Sequence, residues 1–294
     1  MIKIKNSLCI IAAGILWGII SVFVNCLADM GFTSLQIVAI RVFFSALIMV
    51  IYLLIADRDG LNIKIRDIPL FLGTGLGSIV LFNFCYFEAI EIIGGAAVPA
   101  LLLYTAPIFV MLMSLPLFHE RLTARKITAL AVTLAGLILV TGASSSGGAV
   151  SLKAVILGLG SGFGYALYSI FGKFLAKKYG AATITAFTFI TAAVFIVPFS
   201  GVISNVRLLL CPEGIWSVFG LSLLSTVIPF MLYTKGLKGT EAGKASILAA
   251  IEPFAAAVIG AVFFHETMDT EKIAGMCLII FAIVILNIKF KNKF

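Results

Sequence analysis

Glu252 is the residue best placed to do chemistry, because the run from Ala245 to Phe264 contains no other charge. If that run crosses a bilayer, a carboxylate near its middle costs about 2.5–3.5 kcal/mol or more unless it is protonated or paired, so it is expected to face a cavity. Two roles are open. Glu252 can bind a proton or a cationic group, as a coupling and substrate-binding residue. Alternatively, a protonated Glu252 beside Pro253 can satisfy backbone groups that the proline frees. Pro107 and Pro253 each interrupt a helical hydrogen-bond ladder in mid-run and are candidate hinges, with a static kink as the alternative. Arg41 lies about six residues inside its apolar run and is expected to form a structural ion pair with Glu88 rather than to bind substrate. Lys173 and Lys235 fall near the ends of their runs and read as solvated anchors.

Around Glu252 a semi-polar cavity can be assembled from Trp17, Asn83, Tyr86, Tyr104, Tyr165, Tyr168, Ser169, Thr226, Tyr233 and Ser246. Asn83 with Tyr86, and Tyr165 with Tyr168, share a helix face at i, i+3. Such rings can hold an organic cation or a planar solute, although Trp and Tyr also collect at membrane interfaces. Catalytic and cofactor patterns are lacking. The pairs His119-Glu120 and His265-Glu266 have no second histidine for a zinc site. The glycine runs from Gly73 to Gly77 and from Gly158 to Gly164 fit neither a dinucleotide fingerprint nor a phosphate loop. Their G-x-x-x-G spacings suit close helix approach instead. No catalytic residue, metal or other cofactor is therefore expected. The five cysteines form no C-x-x-C pair and read as small apolar side chains.

These residues must be held by membrane helices. Hydrophobic residues make up 62% of the chain and charged residues 12%, with a mean hydropathy of +1.18; 21 basic and 13 acidic side chains cannot cover the surface of a soluble protein of this length. Charge and turn clusters divide the sequence into ten apolar segments, near 7–28, 35–56, 68–89, 95–117, 124–141, 154–175, 182–201, 214–235, 243–264 and 272–289. Each is long enough to cross ~30 Å of hydrocarbon as a helix. Lys and Arg fall unevenly between the connections, seventeen on one side and three on the other, with Arg41 left inside a span. This bias predicts that both termini are cytoplasmic. It also accounts for the formal charge of +8 without a nucleic-acid partner.

The chain is a duplication. Pro107, Phe118-His119-Glu120 and Lys126-Ile127 recur 146 residues later as Pro253, Phe264-His265-Glu266 and Lys272-Ile273. Gly14, Ser21, Phe23, Leu27 and Ala28 match Gly162, Ser169, Phe171, Leu175 and Ala176 at an offset of 148. Five spans per copy require the second copy to enter the membrane from the opposite side. Two inverted copies have two nearly equivalent packings, one open to each side, which is the physical basis of alternating access.

With these repeats, and with the stretch from Tyr233 through Ala245 to Pro253, the sequence resembles the EamA type of the drug/metabolite transporter superfamily. The resemblance implies a first five-helix domain over 1–143, a linker over 144–150 and a second domain over 151–294. It also implies a cavity lined by spans 1, 3, 4, 6, 8 and 9, with spans 5 and 10 as peripheral supports. The expected fold is an all-α integral membrane protein of ten transmembrane helices in two inverted five-helix repeats. The expected function is secondary-active or facilitative transport of a small metabolite, amino-acid-like or an amphipathic or cationic organic solute, with export implied by the resemblance. An intramembrane enzyme or a channel is the alternative, but one midplane carboxylate without an intramembrane histidine is a poor catalytic set. The expected partners are a small-molecule substrate, the lipid bilayer and protons, with no ATP and no nucleic acid. The chain would work in the inner (plasma) membrane as a monomer or a homodimer.

Overall fold

The computed structural model describes residues 2–142 and 151–287. The linker expected over 144–150 and the C-terminal Lys289, Lys291 and Lys293 lie outside the described residues. Among the described residues every regular element is helical. Ten helices are long and apolar enough to cross a membrane: span 1 Ile4–Asp29, span 2 Ser34–Ala56, span 3 Ile65–Ile93, span 4 Ala97–Phe118, span 5 Ala124–Thr141, span 6 Leu152–Leu175, span 7 Ala181–Ser200, span 8 Pro212–Lys238, span 9 Ala242–Phe263 and span 10 Thr270–Asn287. Helices close their backbone hydrogen bonds within the segment, which hydrocarbon demands. Leu112, Ile156 and Phe281 are each more than half exposed, as suits a lipid-facing surface.

The helix ends are written in the sequence. Thr33 and Gln36 form a reciprocal capping box at the start of span 2, and Thr123 and Ser151 accept from Lys126 N and Ala154 N at the starts of spans 5 and 6. Spans 4 and 9 both stop at a histidine in the left-handed region, His119 at φ 54° and His265 at φ 53°. The repeated Phe-His-Glu motif is thus a helix-terminating turn that sends each following glutamate back across its helix end.

Packing between the halves follows an approximate two-fold axis that exchanges span 1 with 6, 2 with 7, 3 with 8, 4 with 9 and 5 with 10. Spans 2 and 7 pack on each other, as do 5 and 10; the pairs 1–8 and 1–9 are mirrored by 6–3 and 6–4. Glycine sets the closeness of these contacts. A Cβ at Gly14 would lie 2.8 Å from the carbonyl oxygen of Ala249, and one at the equivalent Gly162 would lie 3.0 Å from that of Leu103. Where spans 5 and 10 cross, a Cβ at Gly136 would lie 2.7 Å from Gly275 O, and one at Gly275 would lie 2.6 Å from Gly136 O.

Four irregularities obey the same symmetry. Span 4 breaks between Leu103 and Ala106, and span 9 between Ala249 and Glu252, so that Pro107 and Pro253 sit in the first turn of each second half. There the missing N–H is no loss. Spans 3 and 8 each contain a π-helical segment, Gly73–Val80 and Gly220–Val227, 147 residues apart. Hydroxyls occupy carbonyls there: Thr226 donates to Leu221 O at 2.7 Å and Ser45 to Ser222 O at 3.2 Å. Hydropathy alone carries no sign of these π segments, because widening a helix by one residue per turn leaves its composition unchanged.

Because a Cβ at Gly275 would meet the Gly136 carbonyl oxygen first, with the Leu139 and Val140 side chains close behind, Gly275→Leu is expected to lower the thermal unfolding midpoint in detergent, with a cost of about 1–3 kcal/mol. Cys277→Ser, at an exposed position on the same helix, should leave the midpoint unchanged. Equal midpoints for both variants would contradict the crossing described.

Candidate functional site

The helix breaks and the π segment of span 3 border a cavity of about 450 Å³. Trp17 enters it from span 1, Asn83 and Tyr86 from span 3, Tyr104 from span 4, Tyr165, Tyr168 and Ser169 from span 6, Tyr233 from span 8 and Glu252 from span 9. All six helices implied by the resemblance contribute, and spans 5 and 10 do not. Span 2 also contributes, through Ser34, Ile37, Val38 and Arg41. The repeat pairs Trp17 with Tyr165 and Tyr86 with Tyr233, so both halves present aromatic rings to one space.

The aromatic side chains form a connected cluster. The Trp17 ring lies 5.2 Å from Phe230, 5.4 Å from Tyr233 and 6.3 Å from Tyr165, mostly edge-on. Hydrogen bonds fix the tyrosines, with Tyr168 OH 2.7 Å from Thr234 Oγ1 and Tyr233 OH 2.7 Å from Ser169 Oγ. Trp17 is 6% exposed, and its Nε1 has no hydrogen-bond partner among the described residues. A buried indole donor at a cavity wall is available to a ligand acceptor. Phe230 and Phe82 belong to the same wall; nothing distinguishes them in the sequence from the other phenylalanines.

Glu252 opens the second half of span 9 and accepts from Tyr165 OH at 3.3 Å, with Tyr104 in the same cavity wall. A negative charge suits a helix N-terminus. Arg41 departs from expectation. No ion pair joins it to Glu88 among the described residues; instead its Nε donates to Thr226 Oγ1 at 2.9 Å. Arg41 and Glu252 line the same cavity. The expectation rested on depth along each helix, whereas the rotation of span 2 turns Arg41 toward spans 8 and 9. Two further expectations are corrected. Thr226 stands behind the wall as the partner of Arg41, and Ser246, 4% exposed, is packed outside the cavity.

The cavity extends to one face only. Its outer part is lined by Asn25 near the end of span 1, Ser34 at the start of span 2, Ile90 near the end of span 3 and Ala96 just before span 4. The opposite face is sealed. Glu120 accepts from the backbone N–H of Ala242 at 2.6 Å and of Gly243 at 3.2 Å, capping the start of span 9. Lys126, 7% exposed, lies 2.6 Å from Glu241 and 3.8 Å from Glu120. Lys173 is no solvated anchor; its ammonium donates to the carbonyls of Leu237, at 3.1 Å, and Thr240, tying span 6 to the end of span 8. Lys177 stands over the rings of Phe118 and Phe174 at 5.5 and 5.6 Å. The repeated Phe-His-Glu motif was the sequence signal for Glu120, but its partners could not be read there.

Residues 5–142 and 152–288 each match the EamA-like transporter family. The chain is similar to an uncharacterized transporter of Archaeoglobus fulgidus, with 30% identity over 280 residues covering 94% of each chain. It is likewise 30% identical over 227 residues to the threonine/homoserine exporter RhtA of Salmonella typhimurium, covering 74% of this chain and 70% of that protein. One solved crystal structure superposes with a TM-score of 0.78 over 96% of each chain at 17% identity, a likeness of fold.

In a variant lacking the native cysteines, Asn25→Cys and Ala96→Cys are expected to react with a membrane-impermeant maleimide added on one side of the membrane. Ser246→Cys should resist it from both sides. Labelling of Ser246→Cys at a rate equal to the other two would contradict the one-sided cavity.

Proposed function

Because the chain belongs to the EamA-like transporter family, and so is a multi-pass membrane transporter of small metabolites, we propose that it exports an amino-acid-like solute by alternating access. The observation that carries this reading is the cavity itself: it lies between two inverted halves, reaches one face and is sealed from the other. The charge bias of the connections makes the sealed face cytoplasmic, with both termini on that side. The state described is then outward-open, the state from which an exporter releases its substrate. The name of the Salmonella relative supports an amino acid as substrate. So does a cavity that combines one acid, one base and several rings; a sugar phosphate would want a cluster of basic residues.

Glu252 can hold a proton or a cationic group but not both, which would couple export to proton entry. Pro107 and Pro253, at the breaks of spans 4 and 9, are the hinges in this reading. The inverted register also defines the latch of each state. Glu266 corresponds to Glu120, and Ala96 and Ala97 correspond to Ala242 and Gly243. Glu266 is half exposed and pairs with Lys272 at 3.3 Å. In the inward-open state Glu266 would cap span 4 across the present mouth, while Glu120 would release span 9.

The test is flux of threonine, homoserine, nucleosides and organic cations in proteoliposomes under an imposed pH gradient. Wild-type protein should carry the amino acids and respond to the gradient, and Glu252→Gln should lose that response. Equal responses would assign Glu252 a structural role beside Pro253, and a panel in which nothing moves would defeat the substrate reading. For the latch, Glu120→Ala should make a Ser246→Cys background more reactive from the cytoplasmic side and Glu266→Ala should not; the reverse ranking would overturn the assignment.

A further inference from the structure

We infer that Arg41 and Glu252 form a two-point clamp for an α-amino acid zwitterion, Arg41 taking the carboxylate and Glu252 the ammonium. The inference rests on the transport reading above and adds to it the part of the solute that is recognised.

Opposite charges that share a low-dielectric cavity attract strongly and would ordinarily collapse into an ion pair. These two do not; no ion pair joins them among the described residues, although both line the same cavity. Each is bonded instead to a hydroxyl on another helix. Thr226 of span 8 fixes Nε of Arg41 at 2.9 Å, and Tyr165 of span 6 lies 3.3 Å from the Glu252 carboxylate. The bond to Thr226 is the only side-chain hydrogen bond of Arg41 among the described residues. The rest of the planar fork is therefore available, and it suits a carboxylate bidentately.

Position gives the clamp its direction. Arg41 is the eighth residue of span 2, about 10 Å from its open-face end, whereas Glu252 is near the middle of span 9. A zwitterion entering between them would place its carboxylate toward the mouth and its ammonium toward the midplane. Trp17 Nε1, a buried donor without a partner among the described residues, stands in the same wall. The solute then neutralises both buried charges while carrying no net charge itself. An amine alone leaves Arg41 uncompensated, and an acid alone leaves Glu252 so; a site built for a polar group rejects a ligand lacking it far more strongly than it rejects a change of size.

The experiment is competition against labelled L-threonine counterflow in proteoliposomes, which does not depend on whether a competitor crosses the bilayer unaided. L-Threonine methyl ester lacks the carboxylate and N-acetyl-L-threonine lacks the ammonium. Wild-type protein should prefer threonine to either by about tenfold or more. Arg41→Gln should erase the preference over the ester and keep that over the N-acetyl compound, and Glu252→Gln should do the opposite. Arg41→Lys should recover part of the first preference, since charge is restored without the fork. If Arg41→Gln elutes as aggregate, Thr226→Val carries the test. It frees the guanidinium without removing its charge and should weaken the preference over the ester alone. Arg41→Gln discriminating as wild type does, or both variants losing both preferences equally, overturns the clamp. If wild-type protein shows no threonine flux at all, the amino-acid reading has failed and the clamp fails with it; flux without either preference rejects the clamp alone.

Discussion

The fold depends on close backbone contact at the two points where span 1 meets span 9 and span 6 meets span 4. Gly14 and Gly162 face the carbonyls of Ala249 and Leu103, the last helical residues before the breaks in spans 9 and 4. A side chain at either glycine would push the helices apart at the level where the cavity begins. Because the breaks are followed by prolines, each half-helix restarts with its first turn already missing a donor, so little hydrogen bonding is lost at the interruption. Glycine on one helix and proline on the other thus let a helix bend inside an apolar medium without leaving backbone groups stranded.

From this contact the rest is arranged in symmetric pairs, with departures from symmetry at the cavity and at the two Phe-His-Glu turns. Trp17 and Tyr165, and Tyr86 and Tyr233, are repeat equivalents that meet in one cavity. Glu252 has Ala106 as its equivalent, so the carboxylate is present once. Glu120 and Glu266 are identical in sequence and different in state. One is bonded to the start of span 9 and the other is exposed on the opposite side. The same motif thus sits in two non-identical environments within one molecule.

The sealed face is polar where the cavity wall is mostly apolar and aromatic. Lys126, Lys173 and Lys177 hold it with charge-assisted hydrogen bonds to carbonyls, short contacts to carboxylates and ring faces. Such bonds are directional and join groups that water can also satisfy, unlike a buried apolar seam of the same area. The glycine crossing of spans 5 and 10 lies away from this machinery and contributes no residue to the cavity. It joins the two halves at a distance from the cavity.

Much of this was legible in the linear sequence. Ten apolar segments, the duplication, the helix-interrupting prolines and the depth of Glu252 follow from hydropathy, spacing and proline chemistry, properties that one segment carries by itself. Nine of the eleven residues expected at the cavity reach it, because Trp, Tyr and an acid in an apolar helix are better accommodated facing inward than facing lipid. The tertiary structure alone decided the rest: that Arg41 turns from Glu88 to Thr226, that span 2 joins the wall, that Thr226 and Ser246 leave it, and that Lys173 is a tie rather than an anchor. The common reason is that partner choice depends on how each helix is rotated about its own axis and shifted along it. Those two variables are set by glycine contacts between helices far apart in the chain, and no local pattern encodes them.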